Sequence, residues 1–171
     1  MRRVLAAILA AAALAVLQTS GFGAGPGGVR PDLLLLFALA AGMRCGEAAG
    51  AAWGAGLGFL QDSLSAGPPG TGILTKGLAG LAAGSLREQL DCENPNTRAL
   101  VAAAATLADG AIHLALLAVF SEGGRFVDPL LAVVVPTAAL HGALLPASLA
   151  AGEAFGRRLR RLRRRAAAAA A

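Results

Sequence analysis

Apolar runs separated by short polar breaks fill the chain from Val4 to Phe155. They form six segments, at about residues 4–20, 30–44, 47–64, 70–86, 98–120 and 127–155. A membrane-spanning helix needs about 20 residues, with a range of about 17–25, so the second and third segments are short and the last is long. The pattern predicts an all-α polytopic integral membrane bundle with about six transmembrane helices. In the alternative five-span arrangement, segments two and three form a shallow or tilted hairpin.

Composition supports a membrane protein. Hydrophobic residues make up 56% of the 171 residues, the mean hydropathy is +0.65, and only 15% of residues are charged, whereas soluble domains usually carry about a quarter. The length allows one compact domain. We place this transmembrane domain at residues 1–156 and a basic, alanine-rich cytoplasmic tail at 157–171.

The basic residues predict the orientation of the helices. With the N-terminus inside, twelve arginines fall on the inside and two, Arg30 and Arg125, fall outside. This asymmetry follows the positive-inside rule, so both termini are expected in the cytoplasm. The first segment also resembles a signal peptide, but residues 18–21 offer a mediocre cleavage site, which favours a retained anchor. The inside set is Arg2, Arg3, Arg44, Arg87, Arg98, Arg157, Arg158, Arg160, Arg161, Arg163, Arg164 and Arg165.

The arginine cluster at residues 157–165 directly follows the last apolar segment. Basic residues next to a membrane span bind anionic lipid, and each is worth about 1 kcal/mol near the surface. Binding of nucleic acid is not favoured, because neither aromatic residues nor a second basic patch accompanies the cluster. We therefore expect the tail to contact anionic lipid.

Glycines recur at every fourth position of the third segment. They leave one face of the predicted helix without side chains, which lets a second membrane helix approach closely. Two glycines of the fourth segment are expected to serve the same purpose, and the sequence leaves open whether the stripe faces its own bundle or a partner. The predicted packing positions are Gly46, Gly50, Gly54, Gly58, Gly80 and Gly84.

Lys76 lies within the fourth apolar segment, where an unpaired ammonium group costs about 2.5–3.5 kcal/mol. The sequence favours Asp62, just across the Pro-Gly turn, as its counter-ion, with Asp32 as the second candidate. In the alternative, the lysine side chain extends to the lipid head groups and needs no partner. Both interpretations give Lys76 a structural rather than a catalytic role.

Asp109 and His113 are spaced i,i+4 on the fifth segment, and His141 lies at a similar depth in the sixth. Ionisable residues inside a membrane suggest a proton relay, and two histidines with one carboxylate also make a zinc set. We favour a structural contact that joins helices five and six, because only Thr106 and Thr137 extend the polar path. We find no arrangement of nucleophile and base, so neither catalysis nor a metal or cofactor is expected.

One block of the sequence resembles the MreD family of bacterial rod shape-determining membrane proteins. The resemblance rests on residues 29–86, which contain RPDLLLL, the glycine helix, GFLQD and the PG turn. It implies that certain positions serve packing or interaction, with Lys76 and the low aromatic content as departures. These positions are Pro31, Asp32, Gly58, Gln61, Asp62 and Gly70.

The resemblance implies a non-enzymatic scaffold of the cell-elongation machinery in the bacterial inner membrane. Its partner would be an MreC-like single-span protein, and the assembly would link MreB filaments to the peptidoglycan synthases. The implied fold is that of the substrate-binding subunit of energy-coupling-factor transporters, so a vitamin-type uptake subunit is the main alternative. The short, glycine-rich outer breaks at 21–29, 65–69 and 121–126 argue against that alternative. An ion-conducting protein is a third possibility, resting on Asp109 and His113.

Overall fold

The chain is all-helical in the computed structural model, which describes residues 2–19, 29–65, 69–120 and 127–169 and contains no strand in these ranges. The bounds are α1 (Arg2–Thr19), α2 (Leu33–Cys45), α3 (Glu47–Leu64), α4 (Thr71–Gln89), α5 (Pro95–Phe120), α6 (Val127–Pro129), a π-helical segment (Leu130–Val134) and α7 (Val135–Ala169). The last three of these elements follow one another without a break.

The helices coincide with the predicted apolar segments, but α7 runs past the predicted boundary at residue 156 to Ala169. Arg125 and most of the breaks at 21–29, 65–69 and 121–126 lie outside the described residues, as do the side chains of several tail arginines. Two helical stretches in the described part of the chain are long and apolar enough to cross a membrane, Pro95–Leu116 and Val127–Arg158. The apolar stretches Ala7–Gln18 and Leu33–Cys45 are shorter.

Helix α2 lies at the centre of the fold. The Asp32 side chain caps its first turn by accepting a hydrogen bond from the Leu35 backbone N–H (2.9 Å), as an N-cap aspartate commonly does. Leu35 and Leu39 pack into one core with residues of α4, α5 and α7. Leu34 packs into a second core with α1 and α3. This 13-residue helix is therefore covered by its neighbours on several sides.

Gly46 ends α2 and begins α3 with a backbone φ of +90°. A residue with a side chain rarely adopts this conformation, whereas glycine does so readily. A Cβ at this position would meet only the Arg87 guanidinium, at 4.0 Å. Gly46 therefore makes the turn between the helices, and its backbone also lies at the contact with α4, since a Cβ at Gly84 would lie 2.6 Å from the Gly46 carbonyl carbon.

The last helix accommodates both of its internal prolines without breaking. The backbone N–H of Val135 donates to the carbonyl of Leu130, and this wider hydrogen bond closes the π-helical segment just before Pro136. Pro146 lies inside α7, which continues to Ala169. Since proline lacks an N–H, one helical hydrogen bond is missing at each position. Gly110 of α5 packs against the Val134 side chain at the end of the π-helical segment.

Candidate functional site

The glycine stripe faces the protein's own helix α4. A Cβ at Gly54 would collide with the Lys76 carbonyl group, and a Cβ at Gly58 would lie 2.5 Å from the Ile73 nitrogen. Both positions are buried, and α3 and α4 share the most extensive contact in the fold. The stripe is thus an internal packing surface, which answers the question that the sequence left open.

Three helices meet at glycines near the middle of this surface. A Cβ at Gly50 would lie 2.6 Å from the Gly42 Cα atom of α2 and would collide with the Gly80 carbonyl of α4. Further along, a Cβ at Gly84 would lie 2.5 Å from the Glu47 Cα atom at the start of α3. Gly42 was not predicted as a packing position, because the surrounding leucines and alanines of α2 show no glycine repeat. It is nevertheless the residue that lets α2 join the α3–α4 pair.

Lys76 forms a buried ion pair with Asp32, the second of its two candidate partners. The Nζ atom lies 2.7 Å from Asp32 Oδ2, and the lysine side chain is 0% exposed. Asp109 Oδ1 of α5 lies 4.0 Å from the same Nζ. The preference for Asp62 as the counter-ion was wrong, and so was the alternative in which the lysine extends to the head groups. Lys76 instead points into the bundle from α4.

Asp32 joins four helices through its two carboxylate oxygens and its backbone N–H. Its carboxylate binds Lys76 of α4, caps α2 and accepts a hydrogen bond from the Gln18 side chain of α1 (3.4 Å). Its backbone N–H donates to His141 Nε2 of α7 (2.8 Å). Gln18 Oε1 also accepts from the backbone N–H groups of Leu33 (3.1 Å) and Leu34 (3.4 Å). The N-terminus of α2 is therefore fixed by side chains from three other helices.

The hydrogen bonds around His141 determine its tautomer. A backbone N–H can only donate, so Nε2 of His141 must accept from Asp32 with a free lone pair. Nδ1 lies 2.7 Å from Thr106 Oγ1, and that hydroxyl donates to the Ala102 carbonyl (2.7 Å). The arrangement is complete when Nδ1 carries the proton and donates to Thr106. His141 is thus a neutral imidazole that bridges α2, α5 and α7.

Asp109 and His113 lie next to each other on α5 but do not reach His141 in the way the sequence suggested. His113 Nδ1 lies 3.2 Å from the backbone carbonyl of Asp109 and 3.8 Å from its carboxylate. At this depth, the hydrogen bond that joins α5 to α7 is made by Thr106 and His141 instead. In the described part of the chain, no three His, Cys, Asp or Glu side chains converge as a metal site would require.

Asp62 connects the end of α3 to the start of α4. Its carboxylate accepts hydrogen bonds from the backbone N–H groups of Gly70 (3.0 Å), Gly72 (2.9 Å) and Ile73 (3.3 Å). These are the donors at a helix N-terminus that lack partners within the helix. Gly70 has a φ of +90°, and a Cβ at Gly72 would lie 2.6 Å from Asp62 Oδ1. The Pro-Gly turn is therefore shaped to present three N–H groups to one carboxylate.

Two cavities lie beside Asp32 at the same end of the bundle. One, of about 220 Å³, is lined by Gln18, Arg30, Pro31 and Gln61 among others, and it separates α1 from the end of α3. The other, of about 180 Å³, lies toward α5 and α7. The Gln61 side-chain oxygen is buried without a hydrogen-bond partner in the described residues. The polar positions of the resemblance therefore gather at one end.

The opposite end of the bundle gathers arginines. Arg98 of α5 binds Glu153 of α7 (3.2 Å) and donates to the Cys92 carbonyl (2.7 Å). Arg44 at the end of α2 lies 3.8 Å from the same glutamate, and Arg87 of α4 donates to the Arg44 carbonyl (3.1 Å). These residues line a cavity of about 460 Å³. Arg44, Arg87 and Arg98, which are predicted to lie inside, thus occupy the end opposite to Arg30, which is predicted to lie outside.

Comparisons with protein-family models, with curated proteins and with solved structures find no match to this chain. Its chemistry must therefore be argued from its own geometry. The polar groups described above act chiefly on one another, as ion pairs, caps and bridges between helices. Reasoning from the sequence overlooked Gln18 and the Arg98–Glu153 pair. Gln18 carried a usable signal, because it is the first polar residue after the apolar run that begins at Val4.

Proposed function

We propose that this chain is a non-enzymatic, multi-pass scaffold of the bacterial inner membrane that belongs to the cell-elongation machinery. The observation that carries the proposal is the inverted distribution of polarity. Lys76 is 0% exposed, whereas Leu9 is 63%, Leu100 68% and Val119 79% exposed. Such an arrangement is unfavourable in water and suits lipid, where charged groups face the bundle interior and pair with one another.

The residues that carry the MreD resemblance support the scaffold role. Asp32, Gly58, Asp62 and Gly70 all act where α2, α3 and α4 are joined, as an ion pair, a close contact, a cap and a turn. In this proposal the motif preserves a rigid three-helix unit rather than a reaction centre. The partner is an MreC-like single-span protein, through which the assembly reaches MreB filaments and peptidoglycan synthases. In this proposal the fold is that of the vitamin-binding subunits of energy-coupling-factor transporters, as the MreD resemblance implies.

The distribution of arginines supports the proposed topology with six spans and both termini in the cytoplasm. Arg44, Arg87 and Arg98 cluster at the end of the bundle opposite to Arg30, as the positive-inside rule requires of cytoplasmic ends. The short α2 then requires local thinning of the bilayer or cover by neighbouring helices. The exposed tail residues Arg157, Arg158 and Arg161 follow on the same side and contact anionic lipid.

The test is genetic and biochemical. Depletion of the chain from its rod-shaped host should produce round cells, and the wild-type gene should restore the rod shape. The tagged chain, purified in mild detergent, should retain the MreC-like protein encoded in the same host. Normal cell shape after depletion, together with no retention of that protein, would overturn the proposal.

A vitamin-type uptake subunit is the second candidate, and the cavity of about 220 Å³ beside Gln18, Arg30 and Gln61 is the observation that favours it. Ligand pockets for small molecules usually measure about 300–1,000 Å³, so this cavity is small for a vitamin. Binding of a radiolabelled vitamin that is abolished by Gln61→Leu, combined with co-purification of a transporter ATPase, would establish this function instead.

A further inference from the structure

A groove of about 480 Å³ runs between α4 and α5. It extends along α5 from Leu100 to Ile112, which corresponds to about 18 Å of helix. Its walls are apolar and combine alanines with leucines, with Ala82 and Ala83 on α4 and Ala104, Ala105 and Ala108 on α5. Small residues on both walls let another helix approach closely in a membrane. On the walls alone, however, a lipid chain would fit equally well.

Two polar residues line one end of this groove and distinguish between these occupants. The Thr75 side chain is 3% exposed, and its hydroxyl has no hydrogen-bond partner in the described residues, whereas Thr106 and Thr137 each donate to a carbonyl of their own helix. Asp109 lies beside it, and its Oδ1 atom also lacks a hydrogen-bond partner among those residues. An acyl chain satisfies neither group.

The charges around Asp109 do not balance. Lys76 is the cation of the buried cluster and lies 2.7 Å from Asp32 but 4.0 Å from Asp109. His141 is neutral in its hydrogen-bond arrangement. His113 lies 3.8 Å from the Asp109 carboxylate but makes its closer contact, at 3.2 Å, with the Asp109 backbone carbonyl. With both carboxylates ionised and both histidines neutral, the cluster carries one excess negative charge, which a low-dielectric surrounding makes costly unless a cation approaches. The Asp109 side chain retains 14% exposure although its Oδ1 atom is buried, and it lines the end of the groove, where a cation on a bound helix would lie beside the carboxylate.

We infer that the α4–α5 groove binds a transmembrane helix of a partner protein that carries a lysine or arginine at the depth of Asp109. A second copy of this chain does not fit, because Lys76, the basic residue within its described membrane-depth helices, is buried in its own bundle. The inference rests on the proposed scaffold function and specifies the surface and chemistry by which the scaffold holds a helix.

The test uses the full chain in phosphatidylcholine vesicles with synthetic leucine-alanine helices of about 22 residues, long enough to span the bilayer. The helices carry one lysine at a series of depths or leucine throughout, and energy transfer between dyes on chain and helix measures association. We expect a lysine at one depth to strengthen association about tenfold over the all-leucine helix. Asp109→Asn and Ala82→Phe should each remove this gain, whereas Ala52→Phe, an exposed position on α3, should retain it.

Several results would overturn the inference. The first two are equal association of the lysine and leucine helices, and an unchanged gain from lysine in Ala82→Phe. The third is a spin-labelled lipid that is immobilised in the groove and is not displaced by the lysine helix. The fourth is energy transfer between two copies of the chain that Ala82→Phe abolishes. Far-UV circular dichroism establishes that each variant is folded, and Asp109→Glu should restore the gain if charge is the cause.

If the MreC-like protein binds Ala82→Phe normally, the groove inference fails while the scaffold proposal stands. If that protein does not bind at all, the scaffold proposal fails and the lysine-helix result still decides the groove.

Discussion

Lys76 of α4 and Asp32 at the N-terminus of α2 form a 2.7 Å ion pair from which solvent is excluded on the lysine side. The pair is embedded in further contacts, since Asp32 also caps α2, accepts from Gln18 and donates its backbone N–H to His141. An ion pair in this position specifies how α1, α2, α4 and α7 are placed relative to one another. Its consequences can be measured by unfolding the purified protein in detergent.

Removal of the buried ammonium should destabilise the fold strongly. In Lys76→Met, Asp32 and Asp109 remain buried without their cation, and the expected loss is about 3–5 kcal/mol of unfolding free energy. Asp32→Asn keeps the cap on α2 but removes the opposite charge, so the double variant should recover part of the loss. Equal stability of Lys76→Met and the wild type would show that the pair is not formed in the folded protein.

A double-mutant cycle distinguishes the two candidate counter-ions directly. Lys76→Met and Asp32→Asn should be coupled by about 0.5–3 kcal/mol, because their side chains are in contact. Lys76→Met and Asp62→Asn should be additive, since Asp62 binds the N–H groups of Gly70, Gly72 and Ile73. Coupling to Asp62 but not to Asp32 would reverse the assignment.

Asp62→Ala should weaken the turn between α3 and α4. Three N–H groups at the start of α4 lose their acceptor, and loss of a cap costs about 0.5–2 kcal/mol. Ser63→Ala, which removes an exposed hydroxyl bonded to the Phe59 carbonyl (2.8 Å), is the neighbouring control and should change stability little. Hydrogen exchange at Gly72 and Ile73 should accelerate in Asp62→Ala alone. Unaltered exchange at both amides would contradict the cap.

The glycine contact between α3 and α4 can be tested with two neighbouring alanine substitutions. Gly54→Ala places a methyl group against the Lys76 carbonyl, and such overpacking costs about 1–3 kcal/mol. At Gly56 on the same helix, an added Cβ would meet nothing within 4 Å. Gly56→Ala should therefore be neutral or stabilise by up to about 1 kcal/mol through helix propensity. Similar effects of both substitutions on the unfolding free energy would rule out close packing at Gly54.

Replacement of His141 should expose its bridging role. In His141→Phe the Asp32 N–H loses its acceptor, whereas the Thr106 hydroxyl keeps its bond to the Ala102 carbonyl. A buried group left without a hydrogen bond costs about 1–3 kcal/mol. Thr106→Ser retains the hydroxyl and should be close to wild type. Nitrogen-15 NMR of the imidazole should show the proton on Nδ1. A proton on Nε2 would be incompatible with donation from the Asp32 backbone.

The positions of the helices follow from the sequence, because an apolar run bounded by polar breaks is a local property. The same reasoning identified the glycine stripe, since a face without side chains can be recognised from a four-residue repeat. Lys76 was recognised as a residue that needs a partner, and His141 as a residue that joins two helices. Each of these inferences depends only on residue type and on spacing along one helix.

Tertiary structure decided which partners were used. Asp32 and Asp62 both lie at the end of the bundle where Lys76 is found. Asp62 is closer to Lys76 in the sequence, which favours it as the counter-ion. The side chain of Lys76, however, leaves α4 on the face that meets α2. Likewise, Thr106 rather than Asp109 meets His141, because α5 presents that residue to α7. These choices depend on the rotation of each helix about its axis. For α2, α3 and α4 the rotation is constrained by close packing at Gly42, Gly50 and Gly80, which three separate segments build together.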